Sequence, residues 1–595
     1  MLVRELTLFL YPTGRFEHLA AARPNAHAGG ARRRFGVSAR LRETMRGLAT
    51  AFRSPNLRRL QAAWSLAWVA DWAYLVALGI FAYQRGGAVA VGVAGVVRMA
   101  PAAIVAPFAS LLGDRYRRLR LLLVNEIVWT VALAASALAF FAHAPTVLVY
   151  VLAGITGVCS TILRPTLAAL LPWLSQTSEQ LVASNAALTT IESLGTLVGP
   201  LLGGVVVAAL DPGAVFAVSA AASALAVIAL ALTRTEGEHL RRTEVRPGLV
   251  REAFAGFGVL LRDRDAGLAV LLGGAQTLVR GALNVLIVVA ALGILHMGES
   301  GVGVLTAAIG AGGFVGSLIA MNLVGRRLAA PIGVALILWG LPIAVIGAVP
   351  KPLAAVGLLA VLGGGNALFD VAIYTVLQRL IPDEFLSRIF GVLFGLAMGA
   401  MAIGSILVPP LIDAVGIRLA MVVTGAFLPA VTVLAWRRLM AIDRRTPVRT
   451  AEIKLLQEVP LFGSLSVAAS EYLARNVTTV AVAASTVLIR EGEAGDRFYL
   501  VATGQFDVAR QGRHLATQGP GGYFGEMALL RDIPRQATVT ASEDSTVYAF
   551  EGRDFISAVT GHALSDRAAR ELVEARLSAN ERSNDVKGSE LDLEV

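Results

Sequence analysis

Apolar residues in this chain fall into long runs, which is the pattern of helices that are buried all round or that cross a membrane. A bilayer core about 30 Å thick is crossed by about 20 apolar residues in a helix. Runs of that length recur between residues 57 and 440 and predict twelve spanning segments. These segments are centred near Ala70, Met99, Thr130, Gly157, Gly195, Ala224, Gly281, Gly312, Leu338, Asn366, Gly399 and Thr424.

Composition supports a polytopic membrane protein. Of 595 residues, 56% are hydrophobic and only 16% are charged, whereas about a quarter of the residues in a soluble protein are charged. The net charge of +10 would suit nucleic acid, but the arginines cluster beside apolar segments, where membrane orientation accounts for them. We therefore expect the lipid bilayer, and no nucleic acid, as a partner.

Positive charge falls on alternate connections between the segments. The positive-inside rule then places both termini in the cytoplasm of a multi-pass plasma-membrane protein. Lysine is rare beside arginine, which indicates a GC-rich, bacterial source. The basic connections follow segments 2, 6, 8 and 12 and contain Arg115, Arg117, Arg118 and Arg120; Arg241, Arg242, Arg246, Arg251, Arg262 and Arg264; Arg326 and Arg327; and Arg437, Arg438, Arg444 and Arg445.

The spanning segments divide into two similar halves. Pro172 and Pro200 in the first half recur at the same spacing as Pro382 and Pro410 in the second. Paired six-helix halves are typical of alternating-access carriers, whose substrate site lies between the halves near the midplane. The predicted domains are a basic cytoplasmic tail (1–56), a transporter domain (57–440, with halves 57–233 and 262–440 and a central loop 234–261), a linker (441–459), a soluble domain (460–580) and a disordered tail (581–595).

Two motifs carry a resemblance to the major facilitator superfamily. Gly113–Arg118, placed between segments 2 and 3, is similar to the family's cytoplasmic latch, which would use Asp114, Arg115 and Arg118. Segment 5 is similar to the motif of the family's antiporter-type exporters. The resemblance implies a twelve-helix fold and efflux, while the alternative for segment 5 is close helix packing alone. The exporter motif comprises Gly195, Gly199, Pro200, Gly203 and Gly204.

Charged residues inside the apolar segments are candidates for transport, because a charge in hydrocarbon is costly. In this superfamily the helices that carry Asp71, Arg164, Arg280 and Asp370 line the central cavity. A buried carboxylate can hold a proton, so Asp71 or Asp370 would couple cargo to H⁺. The alternative is that opposite charges pair and fix helix packing, above all at Arg98, Glu126 and Arg164. Glu126 and Glu192 complete the predicted cavity and coupling set.

The sequence becomes polar and β-prone after residue 460. Short runs at 477–482, 486–489, 498–501, 506–509, 537–540 and 546–550, with turns at Gly492, Gly504 and Gly512, predict a β-roll. Helices are predicted at 554–559 and 566–580, the second of them amphipathic.

Residues 521–541 suggest a cradle for a sugar phosphate. Phe524–Leu530 reads as a glycine turn that opens a short helix, whose N–H groups suit an anion. Arg535 offers a planar, permanently charged fork for a phosphate. Glu526 beside such a site would accept hydrogen bonds from neutral groups such as ribose hydroxyls.

These residues resemble the phosphate-binding cassette of cyclic nucleotide-binding domains. The resemblance implies that Glu526 binds the ribose 2′-hydroxyl and Arg535 the cyclic phosphate, with backbone contacts around Gly525, Met527, Ala528 and Ala537, next to Thr538. Gln536 departs from the family, where cGMP-selective members carry Thr and many cAMP-selective members carry Ala. We expect cAMP, with cGMP as the alternative; a second alternative is a roll that lost its ligand, with Glu526 and Arg535 paired together.

Together these features predict a proton-coupled exporter of small amphipathic molecules that cAMP regulates allosterically. Two alternatives remain: a membrane-tethered nucleotide receptor without turnover, and an exporter of the nucleotide itself. The sequence has no Ser/His/Asp set, no nucleotide-binding P-loop motif and one cysteine, Cys159. We therefore expect no enzyme activity, no metal site and no cofactor beyond the regulatory nucleotide.

Overall fold

A computed structural model of the chain shows a helical region followed by a β-rich region. It describes residues 54–115, 117–174, 178–233, 264–320, 327–380, 383–445, 452, 455–456, 459, 462, 473–474, 476–531 and 533–560. Residues 1–53 of the predicted N-terminal tail, the central loop, helix 566–580 and the C-terminal tail lie outside the described residues, while α1 already begins at Pro55.

Ten helices of the described residues are long and apolar enough to cross a membrane. Each predicted segment centre lies in one of them, because a 20-residue apolar run satisfies its backbone polar groups only as a helix. The helices are α1 (Pro55–Arg115), α2 (Arg118–Phe141), α3 (Thr146–Leu174), α4 (Ser178–Ala209), α5 (Pro212–Ala231), α6 (Arg264–Val289), α7 (Gly298–Ala320), α8 (Ala329–Ala348), α9 (Pro352–Leu380) and α10 (Asp383–Arg445).

Helices α1 and α10 each contain two predicted segments. Inside α1 the helix is broken at Gly86 and Gly87, the latter with φ 58°, and inside α10 it is broken at Gly416 with φ 78°. A left-handed φ costs little only at glycine. The predicted connections between segments 1 and 2 and between segments 11 and 12 are therefore glycine kinks rather than loops.

Small residues bring the two halves of the helical region together. A Cβ built on Gly204 of α4 would lie 2.9 Å from the Cα of Gly303 in α7. A Cβ on Gly95 of α1 would lie 2.8 Å from the Oγ of Ser405 in α10. Without side chains at these positions the backbones approach closely, which is how helices associate where no hydrophobic effect drives them.

The β-rich region consists of two four-stranded antiparallel sheets. Their strand orders are β1-β8-β3-β6 and β2-β7-β4-β5, and Val501, Phe506 and Val547 are buried in the core between them. The strands are β1 (Thr478–Val482), β2 (Val487–Ile489), β3 (Arg497–Thr503), β4 (Phe506–Arg510), β5 (Arg513–Gln518), β6 (Tyr523–Phe524), β7 (Thr538–Ala541) and β8 (Ser545–Glu551), with helices α11 (Glu526–Arg531) and α12 (Gly552–Thr560).

This architecture confirms the predicted β-roll. Strands β5 and β6 were not predicted as strands. The predicted turns at Gly492, Gly504 and Gly512 all have positive φ. A second apolar cluster, in which the ring of Phe555 from α12 stacks on Phe498 with centroids 4.5 Å apart, fixes α12 against the roll.

Candidate functional site

The backbone of Arg535 is fastened to the loop between β2 and β3. Its N–H donates to the carbonyl of Glu493 at 2.8 Å, and its carbonyl accepts from the N–H of Gly492 at 2.8 Å. Gly492 has φ 86°, a conformation that a side chain would strain. The arginine is thus placed by the sheet framework and not by a free loop.

The guanidinium of Arg535 turns inward and is only 6% exposed. Nη1 donates to the carbonyl of Gly525 at 3.0 Å, and Nη2 donates to the carbonyl of Arg497 at 2.8 Å. The carboxylate of Asp496 lies 3.6 Å from Nη2. The fork is therefore held in a fixed orientation against β3 and the start of α11.

Glu526 opens α11 and is 1% exposed. Gly525, immediately before it, has φ 93° and turns the chain from β6 into α11. A Cβ on Gly525 would lie 2.6 Å from Nη1 of Arg535. Position 525 thus requires glycine both for its φ and for the close approach of the arginine.

The other predicted cassette residues surround this pair. Ala528 is buried, and Met527 and Ala537 are partly exposed. The side-chain amide of Gln536 donates to the carbonyl of Pro534 at 2.8 Å. The hydroxyl of Thr538 accepts from the N–H of Glu491 at 3.1 Å, which ties β7 to the end of β2.

Sequence reasoning missed the β2–β3 loop as part of this site. A Cβ on Gly495 would lie 3.3 Å from the Nε of Arg535, and Asp496 supplies the nearby carboxylate. Both residues lie about forty positions before the arginine, and no local motif links them to it. The signal was only that a glycine and an acidic residue occur together in a predicted turn.

The electrostatics of the site favour an anion. Burial lowers the pKa of the Arg535 guanidinium, while Tyr499, Asp496 and Glu526 act in the opposite direction. Arginine remains cationic in proteins, so the site contains a largely desolvated positive charge. A phosphate would compensate that charge with bidentate, charge-assisted hydrogen bonds.

The membrane helices bring several predicted charges into pairs. Asp71 accepts from Nη2 of Arg98 at 2.5 Å, and Arg98 also donates to the hydroxyl of Thr156 at 3.2 Å. Arg98 is 3% exposed and its guanidinium lies 5.8 Å from the ring centroid of Tyr74.

A second pair joins α3 to α4. Arg164 donates to Glu192 at 3.0 Å, although the arginine side chain is 63% exposed. The indole N–H of Trp68 donates to the carbonyl of Glu192 at 3.0 Å. The pair therefore lies on a partly exposed face of α3 and α4.

Asp370 belongs to a polar network of the second half. Its carboxylate accepts from the amide of Asn366 at 2.9 Å. The amide oxygen of Asn366 in turn accepts from Gln276 at 3.1 Å and from the indole N–H of Trp339 at 3.0 Å. Arg280 and Arg164 both interact electrostatically with Asp370. Three of the predicted cavity residues, from α3, α6 and α9, are thus brought together.

Glu126 differs from its prediction as a cavity residue. It is 1% exposed and packed inside the first half, where its carboxylate lies 2.7 Å from the hydroxyl of Ser223 in α5. A charged residue in an apolar run does not reveal which way its helix is rotated, and here α2 turns Glu126 toward α5.

The residues predicted to form the latch lie at the end of one helix and at the start of the next. Helix α1 continues through Asp114 to Arg115, and α2 begins at Arg118. The side chains of Asp114 and Arg115 fall outside the described residues. In the exporter motif, a Cβ on Gly199 would lie 2.6 Å from Cβ of Trp72, and one on Gly203 would lie 2.8 Å from the carbonyl of Ala73.

Each motif glycine therefore permits contact between helices. Gly195 faces Trp68 and Gly204 faces Gly303, while Pro200 lies inside α4. Close packing is one role of this stretch.

Comparisons with known proteins match both regions. Residues 63–278 match the Major Facilitator Superfamily model, and residues 479–562 match the Cyclic nucleotide-binding domain model. A cAMP-dependent protein kinase regulatory subunit of Yarrowia lipolytica is 44% identical over 111 residues, which cover 18% of this chain and 29% of the relative. A cyclic nucleotide-gated potassium channel of Mesorhizobium japonicum is 34% identical over 124 residues, covering 20% of this chain and 34% of the channel.

The chain thus spans only 29% and 34% of the length of these two curated relatives. Among solved structures, the regulatory domain of Toxoplasma gondii PKA with cAMP is similar at 30% identity with a TM-score of 0.19, covering 20% of this chain and 46% of that one. The first model matches part of the helical region, and the second matches most of the β-rich region. The chain therefore joins a major facilitator superfamily domain to a C-terminal cyclic nucleotide-binding domain.

Proposed function

We propose that the protein is a secondary transporter whose activity is regulated by cAMP bound at Glu526 and Arg535. The observation that carries the proposal is the buried, oriented guanidinium of Arg535 beside the turn at Gly525. In this arrangement the arginine binds the cyclic phosphate, and Glu526 accepts from the ribose 2′-hydroxyl. The backbone of Met527, Ala528 and Ala537 completes the contacts.

We propose cAMP rather than cGMP as the ligand because a curated relative of the C-terminal domain is named for cAMP. A protein named for its dependence on cAMP is 44% identical over the matching residues. Gln536 follows the arginine and its amide donates to the carbonyl of Pro534, so its side chain is engaged locally.

The membrane domain is proposed to have twelve spans, because α1 and α10 are each long enough for two, divided at Gly87 and Gly416. Both termini are then cytoplasmic, where the nucleotide is made, and the plasma membrane is the expected location. Paired halves with an alternating-access cycle require an open polar space. The network of Arg164, Arg280 and Asp370 supports such a space.

Export with proton coupling follows from the motif in α4 and from the carboxylates Asp71 and Asp370. Regulation requires that the nucleotide bind one transporter conformation better than the other. Typical allosteric couplings of about 1–3 kcal/mol would change affinity or gate population several-fold to about a hundredfold.

Calorimetric titration of cAMP and cGMP into the purified full-length protein tests the nucleotide site. We expect binding of cAMP that is tighter than binding of cGMP. If neither nucleotide binds, the β-roll is not a nucleotide sensor and the regulatory proposal is wrong. If cAMP binds but Asp71→Asn and Asp370→Asn change no flux, the membrane domain acts as a receptor and not as a carrier.

A further inference from the structure

Glu126 occupies an enclosed site between α1, α2, α3 and α5. Its side chain is 1% exposed and lines a cavity of about 10 Å³ together with Trp64 and Leu163. This place is separate from the network around Asp370. A carboxylate that is fully enclosed in a membrane domain needs either a compensating cation or a proton.

The polar contacts of Glu126 are made with two hydroxyl groups and not with a cation. Three short oxygen–oxygen contacts form a chain: Glu126 Oε1 to Ser223 Oγ at 2.7 Å, Ser223 Oγ to Thr130 Oγ1 at 2.8 Å, and Thr130 Oγ1 to the Glu126 carbonyl at 2.8 Å. Ser223 and Thr130 have one hydroxyl proton each. These two protons allow two single hydrogen bonds, and a protonated Glu126 would supply a proton of its own for the third contact.

With a protonated Glu126 every contact has one donor and one acceptor. The carboxylic acid donates to Ser223, Ser223 donates to Thr130, and Thr130 donates to the backbone carbonyl of Glu126. An ionised Glu126 would accept from Ser223 instead, and its negative charge would be buried without a cation beside it.

The second carboxyl oxygen points to the same conclusion. Oε2 of Glu126 has no hydrogen-bond partner among the described residues, and neither has the indole N–H of Trp64, which lines the same cavity. Trp64 is held there by stacking on Trp68 with ring centroids 5.1 Å apart. The cavity volume is close to the minimum of about 10–15 Å³ that holds one water, and a water there would join both groups.

Among the described residues the charge that acts on Glu126 is a second carboxylate and not a cation. Asp71 of α1 is the charged group of the described residues that acts on it electrostatically, and Arg98 is already paired with Asp71 at 2.5 Å. From α3 the facing titratable group is the thiol of Cys159. A second carboxylate charge here would be uncompensated.

We propose that Glu126 is a proton-binding site of the first half, occupied as a carboxylic acid held by Ser223 and bridged by one water to Trp64. Release of the proton requires that α1, α2, α3 and α5 separate enough to admit more water. Proton binding is thereby linked to the packing of these helices. The link to transport rests on the proposed carrier function, whereas the protonation state does not.

Infrared difference spectroscopy of the full-length protein tests the site. The spectrum of the wild type minus that of Glu126→Gln, recorded at pH 7, is expected to show the carbonyl stretch of a protonated carboxylic acid. The amide of glutamine can still donate to Ser223, so this variant should fold. A difference spectrum with carboxylate stretches and no acid carbonyl overturns the proposal.

Two further variants assign the band. Ser223→Ala removes the hydrogen-bond partner, so the acid carbonyl should shift to higher frequency, whereas Asp370→Asn should leave it unchanged. An acid band that Ser223→Ala does not move, or that Asp370→Asn abolishes, contradicts the assignment to Glu126. If the band behaves as expected but a pH gradient drives no flux in the wild type, the proposal of proton-coupled transport is wrong. The proposal of a proton-binding site at Glu126 then still holds.

Discussion

Replacement of Arg535 by alanine tests the nucleotide site most sharply. The guanidinium is 6% exposed and bridges the carbonyls of Gly525 and Arg497. Truncation of one partner in a desolvated charge pair costs about 2–5 kcal/mol. At about 1.4 kcal/mol per factor of ten, we expect cAMP to bind Arg535→Ala about thirtyfold to a few thousandfold more weakly.

The same change should also destabilise the β-roll. Two carbonyls lose their donor, and a buried group left without a partner costs about 1–3 kcal/mol. Arg535→Lys keeps the charge but cannot form the bidentate fork, so its affinity should fall between those of the wild type and the alanine variant. Calorimetry with the full-length protein measures the affinities, and a thermal melt shows which variants remain folded.

Arg497→Ala is the matched control. It removes the same charge near the site, but its side chain is 41% exposed and pairs with Glu551 on the surface, where ion pairs contribute only about 0–1 kcal/mol. We expect its cAMP affinity to stay within about threefold of the wild type. If Arg535→Ala is equally benign, or if Arg497→Ala is equally harmful, the phosphate does not bind at this arginine.

Three further variants follow from the contacts. Gly525→Ala places a Cβ 2.6 Å from the Arg535 guanidinium at φ 93°, so calorimetry should show weaker cAMP binding. Gly512→Ala, at φ 78°, places a Cβ that has no atom within 4 Å beyond its own residue and its chain neighbours, so it should leave cAMP binding unchanged. Glu526→Gln should weaken cAMP about tenfold to a hundredfold, as expected for a hydrogen bond to a charged group, but leave 2′-deoxy-cAMP unaffected; an equal loss for both nucleotides would contradict the ribose contact. Asp71→Asn leaves Arg98 buried without its counterion and should destabilise the membrane domain by about 3–5 kcal/mol. The loss would be seen as a lower melting temperature in detergent, and adding Arg98→Gln should restore the melting temperature.

The positions of the apolar helices could be predicted, because span length is a local property of the sequence, and each predicted centre lies in one of the ten described helices. What could not be predicted was how helices rotate and join. Gly87 and Gly416 break α1 and α10 as kinks, although each position resembled a connection. Glu126 resembled a cavity residue, yet α2 directs it to Ser223 of α5. Both outcomes depend on contacts with distant segments.

The proposed nucleotide site shows the same division. Glu526 and Arg535 were predicted because their spacing forms a local motif. In the structure Glu526 begins α11, and Arg535 lies beside the start of that helix. Asp496 was not predicted, because only the pairing of β3 in the sheet brings it to the arginine. Strand β5 was missed because its side chains are mostly exposed, so it lacks the apolar alternation of a half-buried strand, and its pairing with β4 defines it.

The central claim is that a nucleotide bound at Arg535 changes the conformation of the membrane domain. Paired spin labels at Arg120→Cys in α2 and Arg437→Cys in α10, both exposed, report the distance between the two halves, while native Cys159 is 3% exposed and shielded from labelling. We predict that saturating cAMP shifts the distance distribution in the otherwise native protein and leaves it unchanged when Arg535→Ala is added. An unchanged distribution in protein that calorimetry shows to be saturated with cAMP would contradict the account.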